Sequence, residues 1–366
     1  MRDRLRVALV GCGQIADAHL QQIGRTGLGH VVAVCDREPD LARQAAARFG
    51  VPAEYHDVGR MLRDVKPDVV HITTPPATHC DLLLRSVEAG AHAYVEKPFA
   101  LTLGETEHML SVADGCARLV CVGHDRLFDP VWIELCERLE SGEIGDVAHV
   151  ESVQLYDLHG PFGRLVLSDP DHWVRGLPGG LLQNVLPHEL AAISELVTDR
   201  HPDIAAAAWG RECDGEATEL RVFLRGSSVT ASLMFLTTGG PAGRYLRVFG
   251  TSGWLEADYE ARVVRCRPAP ALPSLLVKLA VPLRQCQDSA RAFARNLARF
   301  SRADLHYFAG MQALLRAFYR AVLDGTASPI APDRVRRVAS LMDEVVRART
   351  ATSRAPHEEA VPFFQW

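Results

Sequence analysis

The fold class is decided by residues 6–19, which read RVALVGCGQIADAH. A short apolar run ends at Val10, and Gly11, Gly13 and Ala16 follow in the spacing GxGxxA, where a helical pattern starts. The first glycine permits a tight turn, the second lets the backbone approach a pyrophosphate, and the small third residue lets helix and strand pack closely. The stretch therefore predicts the first strand, turn and helix of a dinucleotide-binding domain. The turn residues expected to contact the dinucleotide are Gly11, Gly13, Gln14 and Ile15.

A carboxylate follows the second apolar run. HVVAVCD ends in Asp36, about the expected distance after the glycines for an acid that accepts hydrogen bonds from an adenosine ribose. The alternative is that Asp36 merely ends a strand. A carboxylate here would repel a 2′-phosphate, so NAD(H) is favoured over NADP(H). Arg37 keeps NADP(H) open, because a guanidinium beside the ribose could hold that phosphate.

Apolar runs rich in valine alternate with amphipathic segments from Leu5 to about Gly123. Such alternation indicates a parallel sheet that is covered on both faces. The sequence therefore predicts an α/β, doubly wound domain over residues 1–123. Its helices are expected at residues 40–49, 78–89 and 103–114.

A different pattern starts after a helix predicted at residues 130–140. Apolar runs follow at short spacing and are joined by turn signals such as TTGGPAGR, which predicts an open, mostly antiparallel sheet. One helix is expected at residues 180–196. Three more are expected at residues 285–300, 305–323 and 333–349, and this C-terminal group could pack back on the first domain. The second, α+β domain would cover residues 124–366.

Composition narrows the class of partner and compartment. The 366 residues have a formal net charge of −5, and their basic residues are dispersed, which argues against a nucleic acid partner. No apolar span is long enough to cross a bilayer, so we expect no membrane partner and a cytoplasmic protein. The nine cysteines are scattered without CxxC spacing, which implies neither a disulfide framework nor a metal site.

The lysine in YVEKPFA, residues 94–100, stands out because the chain has only two others, Lys66 and Lys278. An arginine stays charged, whereas a lysine amine can lose its proton when it is desolvated. Lys97 follows the predicted strand AYV, at the carboxyl edge where doubly wound sheets bind ligands. We therefore expect Lys97 to handle a proton, the alternative being an ordinary surface lysine before a proline.

Five motifs follow one another along the chain: GCGQIADAH, ITTPPATH, AGAHAYVEKPFALT, VGHDRLFDP and GGLLQNVLPHEL. Together they resemble the signature of the Gfo/Idh/MocA oxidoreductases, and the likeness covers most of the chain. The resemblance implies an N-terminal Rossmann domain that binds NAD or NADP. It also implies a C-terminal domain whose open sheet makes homodimers or homotetramers. Sugars, cyclitols or their nucleotide-linked forms would be the substrates.

The resemblance also implies roles for particular residues. Lys97 becomes the lysine of the EKP motif, joined to Pro98 by a cis peptide bond, and His188 the active-site histidine. Asn184 stands where the family usually has an aspartate, and Ala191 where it usually has a second one. The proton load would then fall on His188 and Lys97, with Asn184 hydrogen-bonding in the same pocket. Further residues expected to contact the cofactor are Thr74, Pro75, His79, Glu96 and Lys97.

We expect hydride transfer between nicotinamide and a ring hydroxyl or ketone of the substrate, with His188 as the base and Lys97 beside the developing alkoxide. Residues 156–180 form a turn-rich loop that is a candidate substrate wall. The candidate substrate contacts are His124, Tyr156, Arg164, His172, Trp173 and Arg175. Two other classes remain open: a non-catalytic dinucleotide sensor of the same fold, and a lyase or glycosidase that uses NAD transiently.

Overall fold

The computed structural model describes residues 4–209, 219–237, 242–269, 273–302 and 306–352, which form two sheets and the helices that pack on them. This arrangement confirms the predicted α/β class, a parallel Rossmann sheet followed by a second, mostly antiparallel sheet. No helix in these ranges is both long and apolar enough to cross a membrane.

The first sheet has six parallel strands: β1 (Leu5–Val10), β2 (Gly29–Cys35), β3 (Glu54–Tyr55), β4 (Val69–Ile72), β5 (His92–Val95) and β6 (Val120–Val122). Their order is β3-β2-β1-β4-β5-β6. Strand interiors such as β4 are buried throughout, because helices cover both faces. Since Val95 pairs with Val122, the residues that follow β5 and β6 emerge side by side at the carboxyl edge.

Five helices connect these strands: α1 (Ala16–Thr26), α2 (Pro39–Phe49), α3 (Val58–Val65), α4 (His79–Glu88) and α5 (Leu103–Gly115). α1 ends at Thr26, and Gly27 follows it with a φ of 70°, the left-handed conformation that closes a helix. α5 begins after Thr102, whose side chain accepts a hydrogen bond from the Glu105 N–H. Both boundaries therefore have a local cause in the sequence.

The second sheet has seven strands: β7 (Val147–Leu155), β8 (Asp203–Trp209), β9 (Glu219–Arg225), β10 (Thr230–Leu236), β11 (Gly243–Gly250), β12 (Gly253–Asp258) and β13 (Val263–Pro268). Their order is β13-β12-β11-β7-β10-β9-β8, and only the β7–β10 pair is parallel. One face joins a buried core, to which β9 contributes Leu220, Val222 and Leu224. The opposite face is open, and Phe223 on it is 60% exposed.

The remaining helices are α6 (Pro130–Glu140), α7 (Pro161–Ser168), α8 (Gly180–Val185), α9 (Pro187–Leu196), α10 (Ser274–Ser301), α11 (Ala309–Asp324) and α12 (Pro332–Thr352). α9 and α12 contribute to the core of the second sheet. Met311, Leu314 and Phe318 of α11 instead belong to the core of the first sheet. Part of the C-terminal group thus packs back on the first sheet, while the boundary between residues 123 and 124 stays a prediction.

Three elements differ from the sequence-based expectation. The helix predicted at residues 180–196 is two helices that meet at Leu186, because Pro187 cannot donate a backbone hydrogen bond and begins a new helix. The segment expected to be a loop contains α7, with Pro161 in its first turn. α10 begins at Ser274 rather than at residue 285, although Pro282 lies inside it.

Candidate active site

A large cavity lies between the carboxyl edge of the first sheet and the second sheet. Its volume is about 1390 Å³, and residues from both sheets line it. One end is bordered by the turn after β1 and the end of β2, and the other by β7, α8 and α9. Such an edge is where doubly wound folds bind their ligands.

The turn after β1 is shaped for close approach. Gly11 has a φ of 100°, and a Cβ there would lie 2.7 Å from the backbone nitrogen of Thr74, so no other residue fits without a shift. A Cβ on Gly13 would meet nothing within 4 Å, which leaves open space before α1. An open turn at a helix N-terminus suits a pyrophosphate. The residues present therefore fit a dinucleotide.

Asp36 braces this turn as well as lining the cavity. Its Oδ2 accepts a hydrogen bond from the Cys12 N–H at 2.7 Å, and its Oδ1 accepts one from the Glu38 N–H at 2.9 Å. The side chain of Arg37 is 91% exposed and lies 3.7 Å from Glu38. Asp36 is thus fixed by the backbone, whereas Arg37 is a surface side chain at the cavity rim.

Lys97 follows β5 and reaches across to α8. Its peptide bond to Pro98 is cis, as expected. Its Nζ donates to the backbone oxygen of Asn184 at 3.0 Å and to the Oδ1 of Asn184 at 3.1 Å. Burial lowers the pKa of the Lys97 amine, with Glu96 opposing this shift and Arg126 adding to it. A neutral amide partner does not restore the ammonium form as a carboxylate would.

His188 lies on α9 beside a carboxylate. Its Nδ1 is 3.5 Å from the Oδ1 of Asp125 and has no hydrogen-bond partner among the described residues. Burial, with Arg126 and Lys97 adding to it, lowers the pKa of His188 well below its ordinary value. Burial and the nearby Glu96 raise the pKa of Asp125 to about 6. Near pH 7 the pair is therefore a neutral imidazole beside a largely ionised carboxylate, an arrangement that can accept a proton.

A row of buried, hydrogen-bonded side chains holds Glu96 on the side away from the cavity. The Oε1 of Glu96 is 3.0 Å from the Nε2 of His19, whose Nδ1 is 3.0 Å from the Nδ1 of His71. The Nε2 of His71 is in turn 2.7 Å from the hydroxyl of Tyr319 on α11. His19, His71 and Tyr319 have no exposed surface. These hydrogen bonds thus connect Glu96 of the EKP motif to α11, one of the C-terminal helices.

The ionisation of Glu96 fixes the direction of the hydrogen bond that it shares with His19. Burial alone would raise the pKa of Glu96, but the hydrogen bond from His19 and the charge of Lys97 outweigh it and lower the pKa. An ionised carboxylate only accepts, so the Nε2 of His19 donates to Glu96. Burial lowers the pKa of His71 well below its ordinary value, so its ring is neutral, with one nitrogen that donates and one that accepts.

The structure brings most of the predicted site residues together. The predicted cofactor contacts that line the cavity are Gly11, Gly13, Gln14, Ile15, Asp36, Arg37, Thr74, Pro75, Glu96 and Lys97. The predicted catalytic residues Asn184 and His188 line it, as do the predicted substrate contacts Tyr156, His172 and Trp173.

Four predicted residues do not line the cavity. His79 is buried, and its ring lies 2.8 Å from the Thr74 carbonyl and 3.1 Å from the Pro98 carbonyl, so it ties two cavity loops together. His124 is buried, and burial lowers its pKa to about 4. The guanidinium of Arg175 donates to the carbonyl of Val166, which fastens the end of α7. Arg164 lies on the outer side of α7.

Asp125 is a functional candidate that the sequence alone did not single out, since a structural role after the last strand of the first sheet was at least as well supported. It lies inside the motif VGHDRLFDP, shortly after β6, the strand that pairs with the one preceding Lys97. That adjacency was the available signal. Three arginines that line the cavity gave no such signal, and each has an acidic partner. The pairs are Arg126 with Glu189, Arg244 with Glu260, and Arg262 with Asp129.

Comparison with known proteins agrees with this geometry. Residues 5–124 match the model of an oxidoreductase family with an NAD-binding Rossmann fold. The first part of the chain is therefore an NAD-binding oxidoreductase domain, and NAD is its class of cofactor. More particularly, the matched model is that of the Gfo/Idh/MocA family, which confirms the resemblance over residues 5–124.

Its relatives are dehydrogenases and oxidoreductases. An uncharacterized oxidoreductase of Rhizobium meliloti, ORF334, is 32% identical over 41% of this chain and 46% of its own length. D-glucoside 3-dehydrogenase of Escherichia coli is 32% identical over 39% of this chain and 41% of its own length. The chain thus spans less than half the length of these curated relatives.

Solved structures share the whole fold. The WlbA dehydrogenase from Bordetella pertussis, in complex with NADH and UDP-GlcNAcA, aligns with a TM-score of 0.76 over 95% of this chain and 96% of its own. Its sequence identity to this chain is 16%. The likeness therefore extends the shared fold through the second sheet and the C-terminal helices.

Proposed function

We propose that this protein oxidises a ring hydroxyl of a sugar, cyclitol or nucleotide-linked sugar, or reduces the matching ketone, with NAD as the redox partner. The observation that carries the proposal is the meeting of Lys97, Asn184, His188 and Asp125 in the cavity that also receives the glycine turn. When bound, NAD supplies the hydride acceptor for the alcohol or, reduced, the donor for the ketone.

His188 is the proposed base. Its imidazole is neutral near pH 7, so it can accept the proton of a substrate hydroxyl. The imidazolium that forms would lie 3.5 Å from the Asp125 carboxylate, which offsets its charge. Asp125 thus provides the negative charge near His188 that the family's usual aspartates would otherwise provide; Asn184 and Ala191 stand in their places here.

Lys97 is the proposed partner of the substrate oxygen. Asn184 holds two of the three ammonium hydrogens, one through its backbone oxygen and one through its amide oxygen. The third remains for a substrate oxygen, where it stabilises the charge of an alkoxide. Because burial already lowers the pKa of Lys97, the amine can also give up a proton at moderate cost.

Following cofactor absorbance with a panel of sugars, cyclitols and nucleotide sugars tests this function. Net formation of NADH with at least one of them is the expected result. Product without net NADH would point to transient oxidation by a lyase or glycosidase. Tight NADH binding without turnover of any panel member would instead favour a sensor. The same panel with NADP measures cofactor choice.

We further propose that the open face of the second sheet pairs with a second copy of the chain. Phe223 is 60% exposed on this face, and Arg247 bridges Glu151 at 2.9 Å and Glu256 at 2.6 Å. An exposed aromatic ring among ordered ion pairs suits a protein interface. Phe223→Glu should lower the particle mass measured by light scattering, whereas an unchanged mass would contradict this contact.

A further inference from the structure

α10 packs with its polar side inward. Asp288 is buried and accepts a hydrogen bond from the Cys266 N–H at 3.0 Å, and Arg284 forms an ion pair with Glu143. Arg295 likewise pairs with Glu134, and its guanidinium donates to the Arg262 carbonyl at 3.2 Å. Charged and polar groups therefore fasten this helix to its own subunit. A surface helix normally turns its apolar side to the core.

The outward side of α10 is apolar over almost its whole length. More than half of the large apolar side chains that are exposed in the described part of the chain lie on this one helix. Leu279 is 71% exposed, Leu283 61%, Phe293 68% and Phe300 71%. Single exposed leucines are ordinary, but a continuous apolar stripe marks an interaction surface.

The spacing of the stripe is that of a coiled coil. Eight exposed positions follow one another in alternating steps of three and four residues: Leu276, Leu279, Leu283, Cys286, Ala290, Phe293, Leu297 and Phe300. We call these eight positions the α10 seam. They cover three and a half heptads, and such a repeat keeps its seam on one side of a helix when it pairs with another helix. At a rise of about 1.5 Å per residue the seam is about 36 Å long.

The order of sizes within the seam indicates what covers it. Large side chains occupy both ends, and the two small ones, Cys286 and Ala290, stand at the centre on either side of Asp288. Under a two-fold axis near residue 288, Leu276 faces Phe300, and Cys286 faces Ala290. Small residues let two helices approach at the centre while large ones fill the ends. A surface that is complementary to itself in this way suits a two-fold dimer.

The residues that flank the seam agree with a self-pairing. Positions at the edges of a coiled coil decide which partner is tolerated, because like charges across them repel. All of the flanking positions on α10 are uncharged: Leu275, Ala280, Pro282, Gln287, Ser289, Ala294, Asn296 and Ser301. Two copies therefore meet without charge repulsion at these positions. An anionic membrane would instead favour basic side chains at these edges.

We propose that the α10 seam pairs with α10 of a second copy, antiparallel across a two-fold axis near Asp288. This contact is separate from the open face of the second sheet and does not depend on the catalytic proposal. A chain with both contacts would form a closed tetramer with two kinds of two-fold interface.

Cysteine cross-linking tests the geometry directly. In Ala290→Cys the new thiol should face Cys286 of the second copy, so mild oxidation should give a disulfide-linked dimer on a non-reducing gel. Ala298→Cys is the matched control, since Ala298 is exposed on the same helix but off the seam. Cross-linking only in Ala290→Cys supports the proposal. Equal cross-linking in both variants, in neither, or in the unmodified chain through Cys286 alone would overturn it.

A charge in the seam tests the energetics. Leu279→Glu should halve the particle mass measured by light scattering, whereas Ala298→Glu should leave it unchanged, and circular dichroism checks that both fold. An unchanged mass in Leu279→Glu would overturn the pairing. So would binding of the unmodified protein to anionic vesicles that Leu279→Glu abolishes without a change in mass. Truncation after Thr352 should not alter the number of chains per particle; a larger number after truncation would overturn the pairing, because it would show that the chain's own end covers the seam.

Discussion

The two ends of the cavity draw on very different lengths of chain. The dinucleotide end is built by the turn after β1 and by Asp36, two features about 25 residues apart that follow adjacent strands, as the fold requires. The reaction end combines Lys97 and Asp125, which follow two strands of the first sheet, with Asn184 of α8 and His188 of α9. The first end is therefore encoded locally, whereas the second exists only when distant elements pack correctly.

The sharpest way to break the reaction end alone is Lys97→Met. The change keeps the length of the side chain and removes the amine, so turnover should fall by about 100-fold or more, as for other positioned acid/base groups. NADH binding, measured by fluorescence titration, should persist because the glycine turn is untouched. Lys278→Met is the matched control, since Lys278 is exposed on α10. Normal turnover in Lys97→Met would contradict the assignment.

Asn184→Asp sharpens the comparison by restoring a charge at the reaction end. A carboxylate within hydrogen-bond distance of the Lys97 amine favours its protonated form, so the pKa of Lys97 should rise by about one to two units. The pH dependence of alcohol oxidation should move to higher pH by the same amount. Asn184→Ala keeps the backbone acceptor and adds no charge, so it should not produce this upward shift. An unaltered profile in Asn184→Asp would show that Asn184 does not tune Lys97.

Tyr319→Phe asks how far the reaction end depends on remote packing. The change removes the hydroxyl that is hydrogen-bonded to His71 and leaves a buried ring nitrogen without that partner, which should lower the free energy of unfolding by about 1–3 kcal/mol. Urea denaturation measures the loss. Tyr55→Phe is the control, because that side chain is only partly buried. Equal stability of Tyr319→Phe and the unmodified protein would show that the hydrogen-bonded side chains that support Glu96 contribute nothing to the free energy of unfolding.

Asp125→Asn tests the carboxylate beside His188. Without it the imidazolium loses its counter-charge, and turnover at pH 7 should fall by about tenfold. The pKa of Asp125 is raised to about 6, so the carboxylate is ionised above that pH and protonated below it. Turnover of the unmodified protein should therefore decline as the pH falls through about 6, and the variant should lack that step. An identical decline in both would assign it to another group.

The sequence predicted the locally encoded end well, for physical reasons. A glycine with positive φ and an acid after the next strand are demands of the backbone and of nearby groups, so they leave a pattern at fixed spacing. The adjacency of Asp125 and His188 leaves none, since it depends on the pairing of β5 with β6 and on the break at Leu186. The resemblance supplied His188, but its carboxylate partner required the fold.

α10 shows a second limit of prediction from the sequence. Apolar periodicity predicted a helix there, and the helix exists. Periodicity states that a helix has two faces, but which face turns inward depends on what the neighbouring surface offers. Here that surface offers Glu134, Glu143 and the Cys266 N–H of β13 to two arginines and an aspartate of α10, so the apolar face is left outside.

Asp36→Ala probes the dinucleotide end, where we expect the smallest effect. Removing the carboxylate should raise the ratio of NADP to NAD turnover by about three- to tenfold, because repulsion of a 2′-phosphate is lost and the exposed Arg37 can reach it. The same change deprives the Cys12 N–H of its acceptor, so part of any loss with NAD reflects a loosened turn. Asp36→Asn separates the two, since it keeps an amide oxygen for that N–H but carries no charge. If Asp36→Asn shifts the ratio of NADP to NAD turnover as Asp36→Ala does, the charge of Asp36 sets the cofactor preference. If neither variant shifts the ratio, the carboxylate only holds the turn after β1 in place.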